Sequence, residues 1–381
     1  MFEALRGKLV VEMAEGIAGP FCGMLLAELG ARVVKVEPPD GDWSRTTGPP
    51  FLDGESPLFL SINRGKESVR ADLKSADGLD LVRRLVATAD VVVAGYRPGV
   101  AERFGLGPEL CEELPRLVYT TISGYGNRGP MRERPGSDTI LQAYAGVMSI
   151  TGAADGPPMR VGTALADTSC GVYAALGTMS LLLAREQTGR GGAVDTSLLE
   201  ALVHLQATTW AGAAAGSTPR RMGTRSGLSA VPAEAFPTAD GHMMISCHGA
   251  RQWKRLCRAV GHTEWEEDPK MAANADRVEN HDYVVETIAA VTATRTVAEW
   301  MEVFEAEGVN AGPIQTFADL AADAQVAALG LLRHQTDGSY PQFGYVGAPL
   351  TFAGEADAGE LAPPPRLGEH NEAIAAELAE R

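Results

Sequence analysis

The sequence predicts an α/β fold: a large domain built on a doubly wound parallel sheet, with a smaller α+β domain set within the chain. Three observations predict it. Before residue 200, short apolar runs alternate four or five times with helical patterns, as successive βαβ units do. The connections are long enough for right-handed crossovers rather than hairpins. From Arg220 the pattern changes to turns, one clear strand and amphipathic helices, a stretch of roughly 85 residues that suits a domain of its own.

The elements follow in order. Lys8 to Ala14 reads as a buried strand, and Pro20 fits the first position of a helix that runs to about Leu29 and stops at Gly30. Ala31 to Glu37 is a second strand, and residues 38–57 form a long polar loop of the kind that carries function. Glu67–Leu73, Val91–Tyr96 and Leu117–Ser123 read as further strands, with an amphipathic helix over Ser75–Ala89. Ser137 and Asp138 are expected to cap the helix that carries Gln142. An apolar helix follows Asp167, and Gln187–Gly192 turns the chain into a strand over Ala193–Thr196. Helical signal from Leu198 runs past Trp210 into a small-residue stretch suited to a linker. In the smaller domain, His242–Cys247 is a strand and 253–260 and 283–308 are helical. Phe317–Leu329 (helical) and Val346–Phe352 (strand-like) return to the large domain, and the tail from Glu355 is expected on the surface.

Composition narrows the partners. Forty-nine acidic against 33 basic residues give a net charge of −16, a field that repels nucleic acid and anionic membranes. The cysteines at 22, 111, 170, 247 and 257 include no CxxC, which fits reduced thiols in the cytoplasm. The first residues lack the features of a signal peptide, and no apolar run reaches the roughly 18 residues that cross a bilayer. The seven histidines form no HxxxH or HExxH pair, so no protein-built metal site is expected. Gly124-Tyr-Gly126-Asn-Arg-Gly129 matches GxGxxG after a strand, but two prolines follow and no helix opens before Asp138. A nicotinamide or flavin site is therefore not the reading.

Asp167 is the one charged residue between Arg160 and Arg185, with glycines at 162, 171 and 177 and Thr168 and Ser169 beside it. A carboxylate there costs several kcal/mol if left dry and unpaired. Two readings remain open: an N-cap for the helix, or a carboxylate kept ionised at a helix start and used as a nucleophile.

The chain resembles the class III CoA-transferases, which include formyl-CoA and carnitine CoA-transferases and the related α-methylacyl-CoA racemases. The stretches that carry the resemblance are Ala18-Gly-Pro, Leu29 to Glu37, Asn63 to Lys66, Tyr96 to Gly99 with Arg103, Gly124 to Gly126 and Asp138 to Gln142. They continue through Gly162, Asp167 and Gly171, Thr188 to Gly191, Thr238 to Gly241, Arg295 to Trp300, Gly308 to Pro313 and Leu367 to His370. Each is weak alone; their number and order are not.

The resemblance implies a Rossmann-like large domain from residues 1–200 and 325–381, and a small α+β domain over 225–310. Linkers at 201–224 and 311–324 would join them, in an interlocked homodimer of the cytoplasm. Asp167 falls on the catalytic aspartate, which attacks an acyl-CoA thioester to give an aspartyl anhydride and then an aspartyl-CoA thioester, from which a carboxylic acid collects the CoA. Ser137, Asp138 and Gln142 would support that site. Ala18, Asn63, Lys66, Tyr96, Arg97 and Arg103 would contact the CoA, which is substrate rather than a tightly bound cofactor. The racemases pair a histidine and a glutamate with the aspartate for two-sided proton transfer; here those positions are Ser137 and Pro237, so transfer is favoured over racemisation. Ile17 and Pro38 stand where formyl-CoA transferase has glutamine and arginine, and its small-domain glycine run is replaced near Gly227-Leu-Ser229. That argues against a formate–oxalate pair.

Overall fold

The structure, a computed structural model, describes residues 3–227, 230–335, 340, 343–352 and 361–380. The chain forms two compact units: Met1–Val147, Arg160–Trp210 and Gln325–Arg381 make one, Met148–Met159 and Ala211–Ala324 the other.

Six strands form the sheet of the first unit: β1 (Leu9–Met13), β2 (Arg32–Glu37), β3 (Lys66–Arg70), β4 (Val91–Ala94), β5 (Val118–Ser123) and β6 (Gly192–Ser197). All pairings are parallel, in the order β3-β2-β1-β4-β5-β6. The order reverses between β1 and β4, which opens a crevice beyond their carboxyl ends. Alternation along the strands feeds two cores, one per face. Val10, Val33, Val91, Val118 and Ile122 pack with the helices Ala18–Glu28 and Leu165–Thr188 on one side. Val11, Val34, Val69, Val92 and Tyr119 pack on the other, against Val82 and Leu85 and against Ile374 and Leu378.

The helix Leu165–Thr188 is the longest element, about 36 Å at 1.5 Å per residue. Thr178 Oγ1 lies 2.7 Å from Thr120 Oγ1 at its middle. Near its end the buried Arg185 donates to Asp90 Oδ1 (2.9 Å) and to the Arg116 carbonyl (2.8 Å). Because its far end lies by the amino ends of β4 and β5, its first turn reaches the carboxyl end of the sheet. Gly171 lets the Ala18–Glu28 helix lie against it: a Cβ there would sit 2.8 Å from the Ala18 carbonyl oxygen. The starts of the two helices are thereby side by side.

The second unit carries an antiparallel sheet, β7 (Ala233–Pro237), β8 (His242–Ser246) and β9 (Ala311–Pro313), in that order. Its core gathers Phe236, Met243, Trp253, Trp300 and Phe304.

Several expectations are corrected. The first helix starts at Ala18, so Pro20 is its third residue, still within the turn whose N–H groups have no helical acceptor. The signal from Leu198 resolves into two helices, Leu198–Leu205 and Ala207–Ala214. The strand before the Ala-Asp-Gly turn, β7, was not foreseen. The strand expected over 346–352 ends at Val346: β11 (Gly344–Val346) pairs with β10 (Leu332–His334), and residues 347–352 after it, with Pro349 unable to donate to a ladder, belong to no strand. The tail is not all surface, since the helix Asn371–Ala379 buries Ile374 and Leu378 in the core. Residues 353–360, and Leu228 and Ser229 of the glycine-run replacement, lie outside the described residues.

Gly171→Val should lower stability by about 1–3 kcal/mol, the cost of overpacking a close approach. Urea unfolding at constant slope checks it, and an unchanged midpoint would contradict the close packing of the two helix starts.

Candidate active site

The N-cap position of the long helix is Ala164, which has no side-chain acceptor to offer. Asp167 is the third residue of the helix, so its reading as an N-cap is corrected. The cap comes from elsewhere. Asp138, first residue of the helix Asp138–Tyr144, reaches across and accepts the Ala166 N–H on Oδ1 at 2.7 Å. Its Oδ2 accepts from Gln142 Nε2 at 2.7 Å. Gln142 is wholly buried; its Nε2 also donates to the Thr163 carbonyl (3.3 Å) and its Oε1 accepts the Val161 N–H (2.9 Å). Asp138 and Gln142 thus clamp the 161–166 approach to the helix that carries Asp167. Ser137 sits at the N-cap of its own helix, but its side chain caps nothing, contrary to expectation.

Asp167 is half-buried and accepts no hydrogen bond among the described residues. Burial, and then the charge on Asp138, push its carboxyl up to about 7. Cys170, one turn on, has its thiol pushed up to about 12, chiefly by burial, and stays a protonated thiol at neutral pH. Of these two groups, only the Asp167 carboxyl ionises near neutral pH.

The residues expected to contact CoA divide into two groups. Ala18 begins the helix that Gly171 admits against Asp167's own. Tyr96, Arg97 and Arg103 follow β4, on the other side of the switch point. Arg97 and Arg103 are exposed, with no ion-pair partner among the described residues. Burial pushes the Tyr96 phenol up to about 12, so it remains a donor.

Lys66 and Asn63 sit elsewhere. The Lys66 ammonium is fully enclosed and gives its three protons to Glu12 Oε2 (2.7 Å), the Pro20 carbonyl (2.8 Å) and Asn63 Oδ1 (2.8 Å). Burial pushes its pKa down to about 8. Asn63 spends its amide on the Phe59 carbonyl at 2.9 Å. In this arrangement neither side chain is open to a phosphate; both brace the loops around β1. Sequence reasoning missed Trp43, a residue 52% exposed with its ring against Gly16 of the β1 loop; an aromatic between Asp42 and Ser44 in a polar loop was the available signal. It also missed the cap from Asp138 to Ala166, for which 28 residues of separation leave no local pattern.

A match to CoA-transferase family III covers residues 5–371. The chain belongs to that family. This CoA-transferase is 36% identical over 377 residues to succinyl-CoA:glutarate CoA-transferase of Mus musculus, covering 98% of this chain and 86% of that protein. It is also 36% identical over 377 residues to acetyl-CoA:oxalate CoA-transferase of Acetobacter aceti, covering 98% and 95%. Among solved structures, a CaiB/BaiF family protein from Brucella suis superposes with a TM-score of 0.87 at 35% identity, covering 99% of this chain and all of that one. No helix among the described residues is long and apolar enough to cross a membrane.

The raised Asp167 carboxyl sets a pH dependence. Below about 7 it is protonated and a poor nucleophile; above, it is ionised. If Asp167 is the attacking group, the CoA-transferase should gain kcat/KM as pH rises through 7 and then level off. Asp138→Asn keeps an oxygen for Ala166 and removes the charge, so the midpoint should move down, staying above the ordinary aspartate value because burial is the larger cause. A midpoint unmoved in the variant would show that Asp138 does not act on Asp167.

Proposed function

We propose that this enzyme moves CoA from an acyl-CoA to a carboxylic acid by covalent catalysis on Asp167. The observation that carries the reading is the placement of Asp167: at the start of a helix, half-buried and without a hydrogen-bond partner. An Asp167 oxygen attacks the thioester carbonyl; the C–S bond breaks, leaving an aspartyl–acyl anhydride and CoA thiolate. The thiolate attacks the aspartyl carbonyl, expels the donor acid and forms an aspartyl-CoA thioester. The acceptor carboxylate repeats these steps in reverse, leaves with CoA and restores Asp167. Both intermediates keep the activation of the thioester, and both hydrolyse if water enters, which is why a half-dry carboxylate serves better than a solvated one.

Asp138 and Gln142 hold the helix start in place, and Ser137 lies beside them. Among the described residues the Asp167 N–H is bonded to nothing; it is the donor this helix start leaves for a developing oxyanion. Ala18, Tyr96, Arg97 and Arg103, on either side of the β1–β4 switch point, are the groups we assign to CoA, with the arginines toward its phosphates. An interlocked homodimer fits the apolar face that Val172, Leu176 and Leu183 leave exposed on the Asp167 helix. The division into a small domain at 225–310 with linkers at 201–224 and 311–324 belongs to the same reading. So does a cytoplasmic location, which accords with five unpaired cysteines.

Hydroxylamine added during turnover with acyl-CoA should convert Asp167 into a hydroxamate, read by peptide mass spectrometry. Asp167→Asn should lower kcat by roughly a thousandfold or more and abolish the adduct. An adduct at another residue, or none in an active wild-type enzyme, would overturn the aspartyl route.

A further inference from the structure

The loops after β1 and β2, next to the helix start that lies against the Asp167 helix, present Ile17, Trp43 and the acidic Glu15, and among the described residues they offer no unpaired cation. Gly16 has φ +80°, and a Cβ there would strike the Trp43 ring, so the indole sits close against the loop backbone at Gly16. Asp42 holds the Gly16 N–H at 3.0 and 3.2 Å. The Trp43 carbonyl accepts from the Thr46 and Thr47 hydroxyls at 3.1 and 3.3 Å. The Trp43 backbone is thus anchored through its carbonyl, while the residue is half exposed. Ile17, half-buried, stands next in the chain, just before the helix start that lies against the Asp167 helix at Gly171.

The charges around these loops are already committed. Lys35 gives its protons to Glu12 (3.0 Å), the Ala14 carbonyl (2.7 Å) and Asp42 (2.8 Å), and Lys66 is saturated as described above. Arg45 is buried on Glu37 and Glu55. The group left is Glu15, itself acidic. A second carboxylate on the substrate would meet an indole, an isoleucine and another acid, and would stay unpaired at a cost of kilocalories.

We infer that Trp43 and Ile17 determine specificity, selecting a monocarboxylic acid with an apolar body rather than a dicarboxylic acid such as those in the relatives' names. The inference rests on Asp167 being the site of transfer. A rigid aromatic face and a branched aliphatic side chain take up an alkyl or aryl group with little loss of side-chain freedom.

The test is CoA transfer from acetyl-CoA to butyrate, isobutyrate and benzoate against succinate and glutarate. Wild-type enzyme should favour the best monocarboxylate by about tenfold or more in kcat/KM, the scale of discrimination that a hydrophobic pocket and an unpaired charge supply. Trp43→Ala should erode that ratio by raising KM for the monocarboxylates. Ile17→Arg, which gives these loops their missing cation, should raise kcat/KM for succinate about tenfold, a gain that a misfolded variant cannot produce. Preference for succinate or glutarate in the wild type, above all one lost in Arg160→Ala (the exposed guanidinium just before the Asp167 helix), overturns the inference while leaving the aspartyl route intact. Transfer that persists undiminished in Asp167→Asn overturns both.

Discussion

One carboxylate caps a helix so that another can go without. A helix start presents free N–H groups that must find acceptors, and here the N-cap position is Ala164, which has none. Asp138 supplies the acceptor from a different helix, and Gln142 fixes it there. That leaves Asp167 in the first turn with a desolvated carboxyl and a like charge close by, and with nothing to stabilise its ionised form beyond the field of the helix. The result is a carboxyl held near 7 rather than near 4. Its folded-state affinity for a proton exceeds that of the unfolded chain, so its contribution favours folding at low pH and is lost as pH rises toward 7. On the proposed aspartyl route, the protein gives up stability near neutral pH to keep the Asp167 oxygen in place, a common trade at active sites.

The scaffold around that oxygen depends on charges that never reach solvent. Glu12 joins Lys35 and Lys66, and Asp42 ties Lys35 to the Gly16 loop, all at or below 3% exposure. Such networks add little net stability compared with apolar packing, but removing one member strands the others. Their effect here is geometric: they set the β1 and β2 loops, and with them Gly16, Ile17 and Trp43, at the edge of the crevice.

Much of this was legible in the sequence, for physical reasons. The apolar runs over 9–13, 32–37, 91–94 and 118–123 can be buried on both faces only in a covered parallel sheet, and the βαβ spacing gave the large unit. Asp167 stood out as a lone charge at the head of an apolar helix. What escaped depends on contacts distant in the chain. No local pattern tells that Asp138, rather than Asp167, caps the long helix. Lys66 reads as a surface charge on a strand edge until the fold seats its ammonium among three acceptors. The terminal helix carries only two large apolar side chains, Ile374 and Leu378, and its place in the core comes from β3 and the Ala76–Ala87 helix beside it. Trp43 lies in a loop with no periodicity to mark it.

The most direct measurement of the central claim is a crystal structure of the enzyme with a non-hydrolysable acyl-CoA analogue. The account predicts the thioester carbonyl carbon within about 3.5 Å of an Asp167 oxygen, the range of a near-attack arrangement, with the nucleotide running toward Arg97 and Arg103. A thiol end lodged in another cleft, or an Asp167 carboxylate facing bulk water while the analogue is bound, would contradict it.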